Sequence, residues 1–279
     1  PAWVCYFALK LTKKNIRPIF ITTVHGPYSV NFYSRIMTKG DRVIVVSKMI
    51  MEYVLKNYKI DKQKIVLNYR GVSKKYFPYN FKATEKWLKI WQKDFPQTKN
   101  KIILTLPARI TSWKGQDDFI ILLKKITEKN PNVHGLIVGE EKNKARFINK
   151  LKSQTTILGL ANNLTFVGHR SDIREIMSIS KIVFSLSREP EAFGRISLES
   201  LSMGIPVIAY SHGGVKEQML EILPEGLIAV GNINLVASLT NKWIKKGPEI
   251  KKIHNFTLKN MLEKTVLVYK QAIKDKCQK

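Results

Sequence analysis

Two clusters of residues in this chain have the types and spacing to hold a ligand. Residues 187–209 read Ser-Arg-Glu-Pro-Glu-Ala-Phe-Gly-Arg-Ile-Ser-Leu-Glu-Ser-Leu-Ser-Met-Gly-Ile-Pro-Val-Ile-Ala, so that seven residues, among them Phe193, Gly194 and Arg195, separate the carboxylates Glu191 and Glu199. A residue without Cβ, such as Gly194, lets the backbone come close to a ligand. Residues 106–115, Leu-Pro-Ala-Arg-Ile-Thr-Ser-Trp-Lys-Gly, run from an apolar segment to a helix-like one that starts near Gln116. A helix start offers unsatisfied N–H groups and a positive dipole end, so Arg109 and Lys114 beside it describe an anion site. Taken singly, each has an ordinary reading: Glu191 a solvated loop carboxylate, Glu199 a helix surface charge, Arg109 and Lys114 two of 48 basic residues.

The elements that must position these groups are legible nearby. The apolar run 182–186 reads as a buried strand, 195–203 as a short helix, Gly204 as its stop and 207–209 as the next strand, which together make one βαβ unit. In an open parallel sheet, ligands bind beyond the carboxyl ends of the strands. The loop with Glu191, Phe193 and Gly194 falls there, and Glu199 faces the same crevice from deeper in. Further strands are expected at 18–24, 43–47, 65–67, 102–106, 134–138, 164–167 and 226–230, with helical segments such as 48–58 between them. Such alternation predicts an α/β fold of two doubly wound parallel sheets. The Lys-rich, aromatic stretch 72–100, with Pro78 and Pro96, breaks the pattern and reads as the connection between two domains. A closing helix is expected over 258–272.

The segment 187–209 resembles the signature of retaining nucleotide-sugar glycosyltransferases with the two-domain GT-B fold, the group known as family 4. The resemblance implies that Glu191 contacts hydroxyls of the transferred sugar. It places the backbone at Phe193, Gly194 and Arg195 near sugar and diphosphate, and Glu199 on the ribose of the nucleotide. Arg109 and Lys114 then bind the donor diphosphate. In 166–172, Phe-Val-Gly-His-Arg-Ser-Asp, Gly168 makes a turn that sets His169 and Arg170 against the base, although Asp172 as an N-cap for 173–178 accounts for much of the same sequence. Gly213 and Gly214 match another turn near the donor sugar, with weaker support. In 23–29, Thr-Val-His-Gly-Pro-Tyr-Ser, His25 matches a histidine directed at the donor sugar, for transfer chemistry or sugar positioning. Ser47 matches a frequent polar position after the next strand.

The resemblance sets the domains as 1–92, joined by the returning helix 258–279, for the acceptor, and 93–257 for the donor. It also implies that the first domain lacks its opening strand and Gly-rich acceptor loop, so the chain reads as N-terminally incomplete.

Composition narrows the alternatives. The 279 residues, 44% hydrophobic, suffice for two domains with sizeable cores. No apolar run reaches the roughly 18 residues that span a bilayer, and no signal peptide is visible. Cys5 and Cys277 lack ligand or redox spacing, which fits a reducing cytoplasm. The net charge of +27 is uneven, with +15 in residues 1–93 and +12 in the rest. The basic first third suits an anionic membrane surface or a phosphorylated acceptor; scattered lysines of a Lys-biased proteome are the alternative.

No Asp-x-Asp, Walker loop, Gly-x-Ser-x-Gly elbow or paired zinc histidines occur, so no metal and no cofactor are expected. The function that the resemblance implies is metal-independent, retaining transfer of a hexose from a nucleoside diphosphate sugar. The acceptor would be a glycan or lipid-linked hydroxyl in lipopolysaccharide or another envelope glycan, made in the cytoplasm or on the inner membrane face, with no nucleic-acid partner. A non-catalytic remnant that binds the donor or a partner subunit is the alternative function.

Overall fold

A computed structural model of the chain describes residues 2–140, 145–252 and 254–278. In chain order its elements are α1 (Ala2–Leu11), β1 (Ile21–Val24), β2 (Arg42–Val45), α2 (Lys48–Asn57), β3 (Ile65–Leu67), α3 (Glu85–Asp94), β4 (Ile102–Pro107), α4 (Gln116–Thr127), β5 (Val133–Val138) and α5 (Ala145–Ile157). There follow β6 (Leu164–Gly168), α6 (Ile173–Ser178), β7 (Ser180–Ser185), α7 (Arg195–Ser202), β8 (Val207–Tyr210), α8 (Gly213–Ile222), β9 (Leu227–Ile228), α9 (Ile233–Lys245) and α10 (Leu258–Cys277). Two compact units result: Pro1–Gly71 with Glu191–Phe193 and Asn255–Lys279, and Val72–Pro190 with Gly194–His254.

The first unit carries a parallel sheet in the order β1-β2-β3, with Ile21 opposite Arg42 and Val43 opposite Ile65. Its core is the β2–α2 face, where Val43, Val45, Ile50 and Val54 are fully buried. The expected strand from Pro18 starts only at Ile21: Pro18 has no N–H to give a ladder, and the Phe20 N–H is taken by the Asp41 carboxylate at 2.8 Å. Helix α10 belongs to this unit. Asn68, after β3, donates to the Met261 carbonyl (3.1 Å) and to Thr265 Oγ1 (2.8 Å), and Arg42 pairs with Asp275.

Ser47 turns out to be the N-cap of α2, its buried hydroxyl accepting the Ile50 N–H at 3.1 Å. Losing such a cap costs about 1 kcal/mol. Ser47→Ala is therefore expected to lower stability by about that amount in a denaturant titration, with donor binding unchanged.

The second unit is a six-stranded, all-parallel sheet in the order β6-β5-β4-β7-β8-β9. Its first strand is central, with the next two on one side and the last three on the other, the doubly wound order. Helices cover both faces of such a sheet, so its strands read as near-continuous apolar runs. Leu104, Leu106, Val133, Leu136, Ile137, Ile182, Val183 and Val207 are accordingly buried.

The stretch expected to connect the domains instead folds into this second unit, which begins at Val72 and not at residue 93. Thr84 caps α3 by accepting the Trp87 N–H. Trp91, 3% exposed, packs with Ile103, Leu136, Val138 and Ile176, and Trp87 stacks on it at 5.2 Å. The expected N-cap at Asp172 also needs correction. Asp172 precedes α6 but makes no capping bond: its carboxylate receives the Arg170 guanidinium (2.8 and 2.6 Å) and Trp87 Nε1 (2.7 Å).

Candidate functional site

The order of the second sheet reverses between β4 and β7, because the chain leaves β4 toward β5 on one side and reaches β7 on the other. At such a switch point the connecting helices diverge to opposite faces and leave a crevice beyond the carboxyl ends. The residues after β4 carry Arg109 and Lys114, and those after β7 lead to Gly194 and α7.

Side chains and backbone of the second unit hold these loops at close quarters. The Arg188 N–H donates to the Trp113 carbonyl at 2.7 Å. Gly115 adopts φ +77°, and a Cβ there would lie 2.0 Å from the Leu186 carbonyl oxygen, so only glycine permits this approach. Asp118, 1% exposed, accepts both arms of the Arg188 guanidinium and the Tyr210 hydroxyl, the latter at 2.8 Å. Burial and the Asp118 carboxylate both push the Tyr210 hydroxyl up, which keeps it a donor. His212 Nε2 lies 2.7 Å from the Ser187 carbonyl and therefore donates to it.

The anion-binding capacity of the two helix starts differs. Helix α4 has Asp117 and Asp118 in its first turn, which offset the positive dipole end that the sequence alone assigns to the anion. Helix α7 has no acidic residue in its first turn. Gly194 sits at its N-cap with φ +82°, where a Cβ would meet Val215 Cγ2 at 2.2 Å. Arg109 is exposed just past β4, its carbonyl accepting Gln116 Nε2 at 3.0 Å. Lys114 Nζ lies 4.2 Å over the Trp113 ring.

Glu199, 6% exposed, is held by Arg195 Nη2 at 3.0 Å. Burial raises its pKa, against the pull of Arg195. A carboxyl whose folded pKa lies above its unfolded value gives stability that is complete below the unfolded value and lost as pH rises through the folded one. Glu199→Gln removes this loss. The melting temperature of the ligand-free variant, relative to wild type, is expected to climb as pH rises above the ordinary carboxylate range and through the raised Glu199 value. A constant difference would contradict it.

The other sequence-selected residues are distributed as follows. Gly168 ends the edge strand β6 at φ +77° with open space where a Cβ would be, and His169 after it is exposed. The Arg170 guanidinium is engaged by Asp172 and lies 5.9 Å from the Trp91 ring, which commits this side chain to the α3 packing. Glu191, Phe193 and His25 belong to the first unit. There the Phe193 ring, 4% exposed, packs 6.0 Å from Phe256 and 6.4 Å from Tyr69. His25 follows β1, with Nδ1 2.6 Å from Arg70 Nη2. Sequence reasoning missed Asp118, Arg188, Tyr210 and Arg70. The available signals were the Asp117-Asp118 pair in a first helical turn and an arginine two or three residues past an apolar run, at Arg188 and Arg70.

An all-parallel sheet in this order places the second unit in the class of doubly wound α/β proteins, whose ligands bind at the switch point beyond the carboxyl ends of the strands. Comparison with known proteins narrows the class. Residues 88–260 match the family model for glycosyl transferases group 1 and residues 1–76 that for glycosyltransferase family 4, so the chain belongs to the group 1 glycosyl transferases, with a GT-B fold. It is similar to a glycosyltransferase from Rickettsia africae, at 32% identity and TM-score 0.84, over 98% of this chain and 75% of that one. Anabaena HepE, solved with UDP-glucose, superposes with TM-score 0.74 at 21% identity, over 100% of this chain and 77% of its own. A trehalose synthase from Pyrococcus horikoshii is 26% identical over 184 residues, 63% of this chain and 43% of the relative, so the match spans less than half of that protein. Among the described residues no helix is long and apolar enough to cross a membrane.

Proposed function

We propose that this chain transfers a hexosyl group from a nucleoside diphosphate sugar to a hydroxyl acceptor, with retention at the anomeric carbon and without a metal. The observation that carries the reading is the β4/β7 switch point, where Arg109, Lys114 and the acid-free start of α7 follow adjacent strand ends.

The chemistry follows from charge. Breaking the bond between the anomeric carbon and the diphosphate oxygen leaves growing negative charge on the diphosphate. Fixed cations and backbone N–H groups stabilise that charge without reorganising, which is where most of such a rate gain arises. Arg109 and Lys114 supply the cations and the first turn of α7 the N–H groups. Glu199 takes the ribose hydroxyls, and Gly168, His169 and the backbone at Arg170 take the base. Glu191 and His25 orient the sugar, and Phe193, its ring used in packing, contributes its backbone with Gly194 and Arg195. The acceptor oxygen bonds to the anomeric carbon from the leaving-group side, and its proton passes to the departing phosphate oxygen.

Lipopolysaccharide or another envelope glycan is the proposed acceptor class, approached at the inner membrane face through the basic first unit. The support is the net charge of the first unit, +13 from 19 Lys and Arg against 6 Asp and Glu over residues 1–71, 191–193 and 255–279. Lys and Arg near an anionic surface contribute about 1 kcal/mol each.

A thermal-shift screen against UDP, GDP, ADP and dTDP sugars, followed by transfer of the labelled sugar, tests the reading. A donor at about 100 times its Kd stabilises by about 2.7 kcal/mol and names the base. Binding without hydrolysis or transfer would favour a donor-binding subunit that does not catalyse. Activity that survives chelation with EDTA is expected.

A further inference from the structure

We propose that Arg70 is a positioning residue that holds His25 as the neutral tautomer protonated on Nε2, so that His25 serves the transferred sugar as a hydrogen-bond donor and not as a base. The inference rests on the reading of His25 given above.

The geometry comes from the first sheet. His25 follows β1 and Arg70 follows β3, the two strands that flank β2, so the side chains meet past its carboxyl end. Ser47, at the end of β2, is occupied with capping α2. The backbone leading to Arg70 is anchored on both sides: the Asn68 N–H donates to the Val45 carbonyl at 2.9 Å, the Asn68 side chain reaches Met261 and Thr265 on α10, and Tyr69 packs edge-on against Phe256 at 5.1 Å. Arg70 therefore emerges from a fixed stem.

Guanidinium has donors only and stays protonated. A ring nitrogen 2.6 Å from Nη2 must then accept, which puts the lone pair on Nδ1 and the ring proton on Nε2. An imidazolium at the same place would set two cations in contact. Partial burial of the ring, and next the charge of Arg70, both lower the His25 pKa, and Arg70 is the charged group that acts on it among the described residues. Near neutral pH the ring keeps one polar atom to offer a ligand, Nε2–H. With Nδ1 occupied and Nε2 protonated, His25 cannot accept the acceptor's proton, which agrees with passage of that proton to the leaving phosphate.

Long-range ¹H–¹⁵N NMR of the His25 ring, on the full chain and on Arg70→Ala and Arg70→Lys, tests the proposal. In the wild type the Nε2–H tautomer is expected, neutral down to below the usual histidine midpoint. In Arg70→Ala the two tautomers should mix, and the protonated fraction at a given acidic pH should rise, since the neighbouring charge is gone while the burial of the ring remains. Transfer kcat/KM should fall about tenfold, and Arg70→Lys, which restores a donor, should recover part of it. An Nδ1–H tautomer in the wild type, which needs no variant to observe, overturns the proposal, as does an unchanged His25 titration in folded Arg70→Ala. Loss of the tautomer with transfer unchanged leaves the Arg70–His25 bond standing and removes His25 from the sugar.

Discussion

Gly115→Ala is expected to destabilise the second unit by about 3–5 kcal/mol, a fall in melting temperature of roughly 6–20 °C. Two causes add. An L-residue at φ +77° carries left-handed strain of about 1–2 kcal/mol. The new Cβ would also stand 2.0 Å from the Leu186 oxygen and 2.7 Å from its carbonyl carbon, which are backbone atoms at the end of β7. No rotamer change relieves that contact, and the Arg188–Trp113 bond and the Asp118 network resist opening of the loops. Gly168→Ala is the control, because its φ is also +77° but nothing lies within 4 Å of the new Cβ. It should cost about 1–2 kcal/mol, the strain alone. Thermal melts of the two variants separate close approach from backbone strain, and equal losses would refute the assignment at Gly115.

Arg109→Ala is expected to lower kcat for sugar transfer by about 10²–10³. The side chain is exposed, so stability should stay within about 0.5 kcal/mol of wild type. Arg109→Lys should recover part of the loss, since an ammonium keeps the charge but not the planar fork that matches phosphate oxygens. Lys114→Ala should act in the same direction. Labelled-donor turnover, read beside thermal melts of the same preparations, distinguishes lost stabilisation of the leaving group from lost folding.

The second sheet was legible because parallel strands buried on both faces leave apolar runs of strand length. The expected runs 102–106 and 134–138 correspond to Ile102–Pro107 and Val133–Val138, and 65–67 coincides with Ile65–Leu67. The loops of the candidate site were legible for the same reason, as they begin where such runs stop. Helix α3 was hidden by its lysines: Trp87 and Trp91 lie one helical turn apart, but basic residues around them and the flanking prolines read as a connection. Position suggested a cap at Asp172, while its carboxylate is taken by Arg170, two residues before it, and by Trp87, 85 residues away. The Arg188–Asp118 pair spans 70 residues, and the His25–Arg70 pair 45, so neither is visible to local spacing. What the sequence carried was the strand ends; what it hid was the set of long-range polar bonds that hold them.

The central claim is that a nucleoside diphosphate sugar binds at the β4/β7 switch point. Calorimetric titration of the sugar nucleotide with the largest thermal shift, into wild type, Arg109→Ala and Glu199→Gln, tests it most directly. The account predicts at least about tenfold weaker binding in each variant, the equivalent of about 1.4 kcal/mol. One dissociation constant shared by all three proteins would contradict it.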